Sequence, residues 1–227
     1  MLRRFPLGYL AAVFAVAAAR VLTGHPTPVG WGLTADALGA GRVWLLATSA
    51  LIVNGMVVPQ LIALALTIAV ALRCMGPRFS SAVMVVSHVG ATLLAYGILL
   101  AATGEADAVD NRTNDYGTSA VWLGLLGAAA VVSLARARTG DRVARVVVAA
   151  ALVTAMGAVL LFSLMTATEH ALAFSLGSGL ALLREVRARG RRPARSGAST
   201  AFAPAAAASA GSCAPRRSEH RHGPRSR

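Results

Sequence analysis

Lysine is absent from all 227 residues, so the net charge of +13 is carried by arginine alone. Charged residues make up 14%, well short of the ~25% of a soluble domain, which excludes an ordinary water-soluble globule. There are two cysteines, Cys74 and Cys213, far apart in sequence. They supply neither a disulfide framework nor metal-ligand spacing. No phosphate-cradling glycine loop precedes a basic helix, and no paired histidines or cysteines stand at ligand spacing within the apolar part of the chain. His220 and His222 lie in a basic tail and do not read as a metal pair. No metal, nucleotide or redox cofactor is therefore expected. Arginine alongside abundant Ala, Gly and Val fits a GC-rich coding bias. The arginines sit at the ends of apolar runs and in the tail, as topology determinants do, and no nucleic-acid partner is expected.

What is abundant is apolar sequence, at 56% of the chain. It falls into about six runs near the ~20 residues that a bilayer requires: 6–23, 56–73, 80–102, 117–135, 146–164 and 167–183. Arg3 and Arg4 precede the first. Arg73 and Arg78 bracket the second turn, Arg136, Arg138, Arg142 and Arg145 fill the fourth, and Arg184 opens the tail. The other connections are acidic, with Glu105, Asp107, Asp110 and Asp115 in one and Glu169 marking another. Arginine in every second connection is the positive-inside pattern. The expectation is an all-α polytopic bundle of six transmembrane helices in the cell membrane, with both termini cytoplasmic.

Two segments test that count. The first run follows arginines and ends in Ala17-Ala18-Ala19, like a signal peptide, but Arg20 interrupts the cleavage region, so it reads as a retained helix. Residues 43–55 form an apolar run of only ~13 residues, too short to span, and are expected as a membrane-embedded loop. The organisation is then a membrane domain over 1–185 and a disordered basic tail over 186–227. Membrane lipids are the first expected partner; for the tail, with Arg216, Arg217, Arg221, Arg225 and Arg227, the expectation is a solvated, compositionally biased segment, and contact with anionic headgroups is the alternative. Asn111-Arg112-Thr113 matches a glycosylation sequon by chance.

Chemistry concentrates at two places. Ser119 follows the last acid of an outer loop by four residues, inside Gly117-Thr118-Ser119-Ala120-Val121-Trp122-Leu123-Gly124-Leu125-Leu126-Gly127-Ala128. His170 directly follows Glu169, with Ala173 and Gly177 stacked below it at three- and four-residue steps. At ~1.5 Å rise per residue both side chains fall in the first turns of their helices, in one leaflet and at one depth. A serine–histidine hydrogen bond needs heavy atoms ~3 Å apart, and small residues on the facing helices permit that approach. Gly117, Ala120, Gly124 and Gly127 supply them on one side, Ala173 and Gly177 on the other. The bland alternative is membrane packing in an Ala/Gly-rich chain.

Gly117 to Ala128 resembles the serine-bearing fourth helix of rhomboid intramembrane proteases, and His170-Ala-Leu-Ala-Phe-Ser-Leu-Gly177 resembles their histidine helix. Ser87-His88-Val89-Gly90-Ala91-Thr92-Leu93-Leu94, the Asp115-x-Gly117-x-Ser119 spacing and Thr168-x-His170 are similar to a rhomboid-like membrane family of high-GC Gram-positive bacteria. The likeness spans roughly residues 5–185. It implies a rhomboid-like fold, with Ser119 as nucleophile and His170 as general base in a dyad without a carboxylate. The Ser119 backbone N–H would be an oxyanion donor. The implied substrate is another protein's transmembrane helix, and no cofactor is implied.

Departures bear on competence. Active rhomboids usually carry a His-x-x-x-Asn pair on the second helix; Met56 and Gln60 stand there, and Gln60 is the remaining candidate donor. Ala120 replaces a glycine of the serine motif, and Phe162 is the fifth run's one aromatic residue. Losing one oxyanion donor costs ~10²–10³ in rate. The alternatives are thus a silent relative that binds transmembrane clients and, from another class, a small transporter or channel subunit. His88, counted from Arg78, is placed near mid-bilayer, half a membrane from the dyad. An intramembrane histidine is a functional candidate, but the expectation here is a neutral imidazole hydrogen-bonded between helices.

Overall fold

The computed structural model describes residues 4–24, 31–53, 55–103, 117–161 and 163–190. Among them the chain is all-helical. The helix α1 (Phe5–Thr23) carries Pro6 in its first turn, where a missing N–H costs nothing, and stops at Gly24 with φ 64°. Two short helices follow, α2 (Ala35–Gly39) and α3 (Leu45–Ser49). Thr34 caps α2 by accepting the Ala37 N–H at 3.1 Å. The described residues of the apolar run 43–55 form one five-residue helix and irregular chain, too short to span.

The long helices come next. α4 (Val57–Met75) ends at Gly76, whose φ of 77° turns the chain, and Pro77 opens α5 (Pro77–Val85). A π-turn over Val86–Gly90 joins α5 to α6 (Ala91–Thr103). Then come α7 (Thr118–Arg138), α8 (Arg142–Leu161) and α9 (Leu164–Gly190). Gly140, with φ 96°, and Asp141, which accepts the Ala144 N–H at 3.1 Å, make the α7–α8 turn.

Three of these helical stretches are long and apolar enough to cross a membrane: Phe5–Thr23, Val57–Met75 and Pro77–Ala102. A shorter apolar helix covers Thr118–Leu134. Large apolar side chains face outward as well as inward. Leu22, Val58, Leu66, Val153 and Leu160 are all exposed, as expected of a surface solvated by lipid tails. These features make the chain a membrane protein.

The arrangement centres on α7, which packs against α9, α8, α4 and α5. Its Val121, Leu125 and Ala128 join Val13 of α1, Leu64 and Ile68 of α4, Val83 and Met84 of α5 and Ala181 of α9 in one buried cluster. A helix contacted on so many sides has to be apolar all round, and α7 is until its terminal arginines. Arg184 belongs to the bundle and does not open the tail: it donates to the Met75 carbonyl at 3.1 Å and lies over the Phe79 ring. The helix continues to Gly190, beyond the expected domain boundary at 185. The tail itself, with Cys213, His220 and His222, lies outside the described residues. So do the acidic connection 104–116 and Phe162.

Candidate active site

The site is built on the seam between α7 and α9. Gly177 sits directly on the Gly124 backbone, so a methyl at 177 would strike the Gly124 carbonyl. Gly127 faces the Phe174 carbonyl and the Ser178 hydroxyl, and Ala173 is fully buried beside Ala120 and Leu123. Only glycine and alanine allow two helices to come this close. The closeness brings Ser119 Oγ and His170 Nε2 to 2.8 Å. With the ring proton on Nδ1, the serine hydroxyl donates to Nε2, the tautomer a general base requires.

Ser119 is the second residue of α7, with Gly117 at the N-cap. The first N–H that bonds back within this helix is that of Val121, to the Gly117 carbonyl. The N–H groups of Thr118, Ser119 and Ala120 have no acceptor within the helix and cluster beside the hydroxyl. A developing oxyanion would meet the positive end of α7 there. The Ala120 methyl is buried among Ala91, Leu123 and Ala173.

His88 is where the structure departs most from the sequence-based depth count. Its ring lies against Gly117, two residues before the serine, so it stands at the level of the dyad and not half a membrane away. A Cβ at position 117 would occupy the space of the imidazole. His88 Nε2–H donates to the Leu46 carbonyl at 2.6 Å, which leaves Nδ1 as the lone-pair nitrogen, buried and without a hydrogen-bond partner among the described residues. Counting ten residues from Arg78 had assumed that every connection begins at one membrane level. The partner is also not one of the long helices but Leu46 of the five-residue helix α3.

That segment, residues 31–53, is a strap fastened beside the dyad. Thr118 Oγ1 lies 2.9 Å from the Ala50 carbonyl and 2.7 Å from that of Ile52. Tyr9 donates to the Ala50 carbonyl at 2.6 Å and Arg20 to the Val53 carbonyl at 2.6 Å. Tyr96 donates to the Leu33 carbonyl at 3.2 Å. Buried carbonyls outside a regular helical ladder need donors of this kind. Leu33, Ala37 and Leu45 bury against Tyr96, while Trp31 and Trp44 stay exposed.

Glu169 also needs correcting. It does not mark an outer turn: it lies six residues into α9, 1% exposed, and accepts the Thr92 hydroxyl at 2.6 Å. An acid in an apolar run reads as a loop unless its partner is visible, and Thr92 is 77 residues away. Gln60 occupies the first turn of α4, half-buried, on a helix that packs against α7. Met56, at the N-cap of α4, is 72% exposed.

The class these features define is an all-helical membrane protein with a serine–histidine pair at the mouth of its central helix. No protein-family model, curated protein or solved structure matches the chain.

Proposed function

We propose that the protein is a rhomboid-like intramembrane serine hydrolase acting on transmembrane segments of other proteins, with Ser119 as nucleophile and His170 as base. One observation carries this reading: the 2.8 Å contact between Ser119 Oγ and His170 Nε2, made across a seam that glycines hold closed. In it, six helical stretches cross the bilayer (α1, α4, α5 to α6, α7, α8 and α9), and both termini face the cytoplasm.

The chemistry follows from the geometry. As Ser119 Oγ adds to the scissile carbonyl carbon, its proton passes to His170 Nε2. The carbonyl oxygen takes the negative charge beside the first-turn N–H groups of α7. Collapse of the intermediate breaks the C–N bond, and His170 returns the proton to the leaving amine. Water, deprotonated by the same imidazole, then releases the acyl group from Ser119. Gly117 leaves room for His88, whose bond to Leu46 keeps the strap against the nucleophile's turn. Ala173 and Gly177 set the approach of the base, and Gln60 stands on the neighbouring helix as a candidate side-chain donor.

A second reading, a relative that binds transmembrane clients without turnover, is favoured by Met56, an exposed apolar side chain where a histidine donor stands in active rhomboids. The two separate in one experiment. The full chain in liposomes is incubated with a pool of single-span peptides carrying small or helix-breaking residues, and products are read by mass spectrometry. Cleavage that disappears in Ser119→Ala and His170→Ala supports hydrolysis. Peptides retained by wild type but never cut support client binding.

A further inference from the structure

We infer that Glu169 and Thr92 are positioning residues, whose hydrogen bond between α9 and α6 sets the rotation of α9 that aims His170 at Ser119; this rests on the hydrolase reading for its consequence, though not for its geometry. The bond is 2.6 Å long, and both side chains are essentially inaccessible, Thr92 at 0% and Glu169 at 1% exposure.

Consecutive residues of an α-helix project about 100° apart. Glu169 and His170 therefore leave α9 in two directions, one toward α6 and the other toward α7. Each direction continues down the helix. Leu176, seven residues after Glu169, packs over Gly90 of the π-turn. Gly177, seven after His170, sits on Gly124 of α7. So α9 is wedged between two walls, with one polar bond near the outer end of each and a close glycine contact below. The apolar contacts are non-directional; near this end of α9 the two hydrogen bonds specify an angle about the helix axis, as the Arg184 bond to the Met75 carbonyl does toward the other end.

The tolerance is small. A side-chain tip about 5–6 Å from the axis moves ~2 Å when the helix turns by ~20°. That carries Nε2 out of hydrogen-bond reach of a hydroxyl. The Thr92–Glu169 bond resists this turn from the other wall. A carboxyl group suits the task because its oxygen accepts the threonine hydroxyl's hydrogen bond from a side chain long enough to reach α6.

The test uses the full chain in lipid nanodiscs, with T92S, T92V, E169Q and E169A. The first readout is the rate at which a fluorophosphonate labels Ser119. T92V and E169A should slow labelling at least tenfold, while T92S and E169Q, which keep donor and acceptor, should stay within about threefold of wild type. The second readout is the ¹⁵N resonance of His170 Nε2, referenced to Ser119→Ala. T92V and E169A should move it to the Ser119→Ala position, and T92S and E169Q should leave it in place. If wild type never labels, the hydrolase reading fails on its own, and the resonance decides the positioning role. Wild-type labelling, or an unmoved resonance, in T92V and E169A would overturn the inference, even with a lowered melting temperature. E169Q failing as badly as E169A would also overturn it, because charge and not the bond would then be what matters.

Discussion

Two regions meet at Ser119 and are held by opposite means. The α7–α9 seam closes because side chains are small or missing: Gly127, Gly177 and Ala173 let backbone approach backbone, while the space of a Gly124 side chain is taken by Ser87 of the π-turn. The 31–53 strap is held because side chains are present, with Tyr9, Arg20, His88 and Thr118 each donating to one of its carbonyls. The seam has no adjustable part, so its failure should be abrupt. The strap is fastened at several points, and losing one should be tolerated. Under the proposed hydrolase function, a rigid dyad beside a multiply tethered strap would hold the chemistry fixed while substrate and water enter.

The largest effect should come from breaking the seam. Gly177→Leu forces its side chain into the Gly124 carbonyl, and overpacking against backbone costs ~3 kcal/mol or more. Fluorophosphonate labelling should fall at least a hundredfold, with a clear drop in melting temperature in lipid. The seam and strap share one joint at Gly117 and His88, which a double-mutant cycle can expose. Gly117→Ala alone should destabilise by ~1–3 kcal/mol, because the new methyl meets the imidazole. In the His88→Ala background the same change should cost less than half as much, since the space is free. Additive costs would mean that the two residues do not share that space.

Smaller effects belong to the strap alone. Thr118→Val removes the donor to the Ala50 and Ile52 carbonyls and should cost ~1–2 kcal/mol, while Thr118→Ser should be nearly neutral. Arg20→Met removes one tether, to Val53, and should change stability by no more than ~1 kcal/mol. Its signature should be faster amide hydrogen exchange confined to 50–53. A global loss of protection from Arg20→Met would show that the strap is not tethered piecewise.

The seam was the more legible region in sequence, for a physical reason. Close helix packing demands small residues at helical spacing, and Gly117, Gly124, Gly127, Ala173 and Gly177 display that spacing directly. The strap was legible only as a run too short to span. Its fastening uses backbone carbonyls, which every residue has and no sequence displays, so Thr118, Tyr9 and Arg20 carried no visible signal. His88 stands at a different level from the one the count gives, because α7 begins beside the middle of the Pro77–Ala102 stretch and not level with its end. Glu169 was misread because a charge beside an apolar run looks like a boundary until Thr92 is seen to meet it.

The most direct test is to find which atom, if any, a serine-directed reagent attacks. Wild-type protein in lipid would be treated with a fluorophosphonate, digested, and every modified residue located by mass spectrometry, with His170→Ala treated in parallel. A single adduct on Ser119, absent from His170→Ala, is the expected result. An unmodified Ser119 in folded wild type, or an adduct formed equally well without His170, would contradict a working serine–histidine dyad.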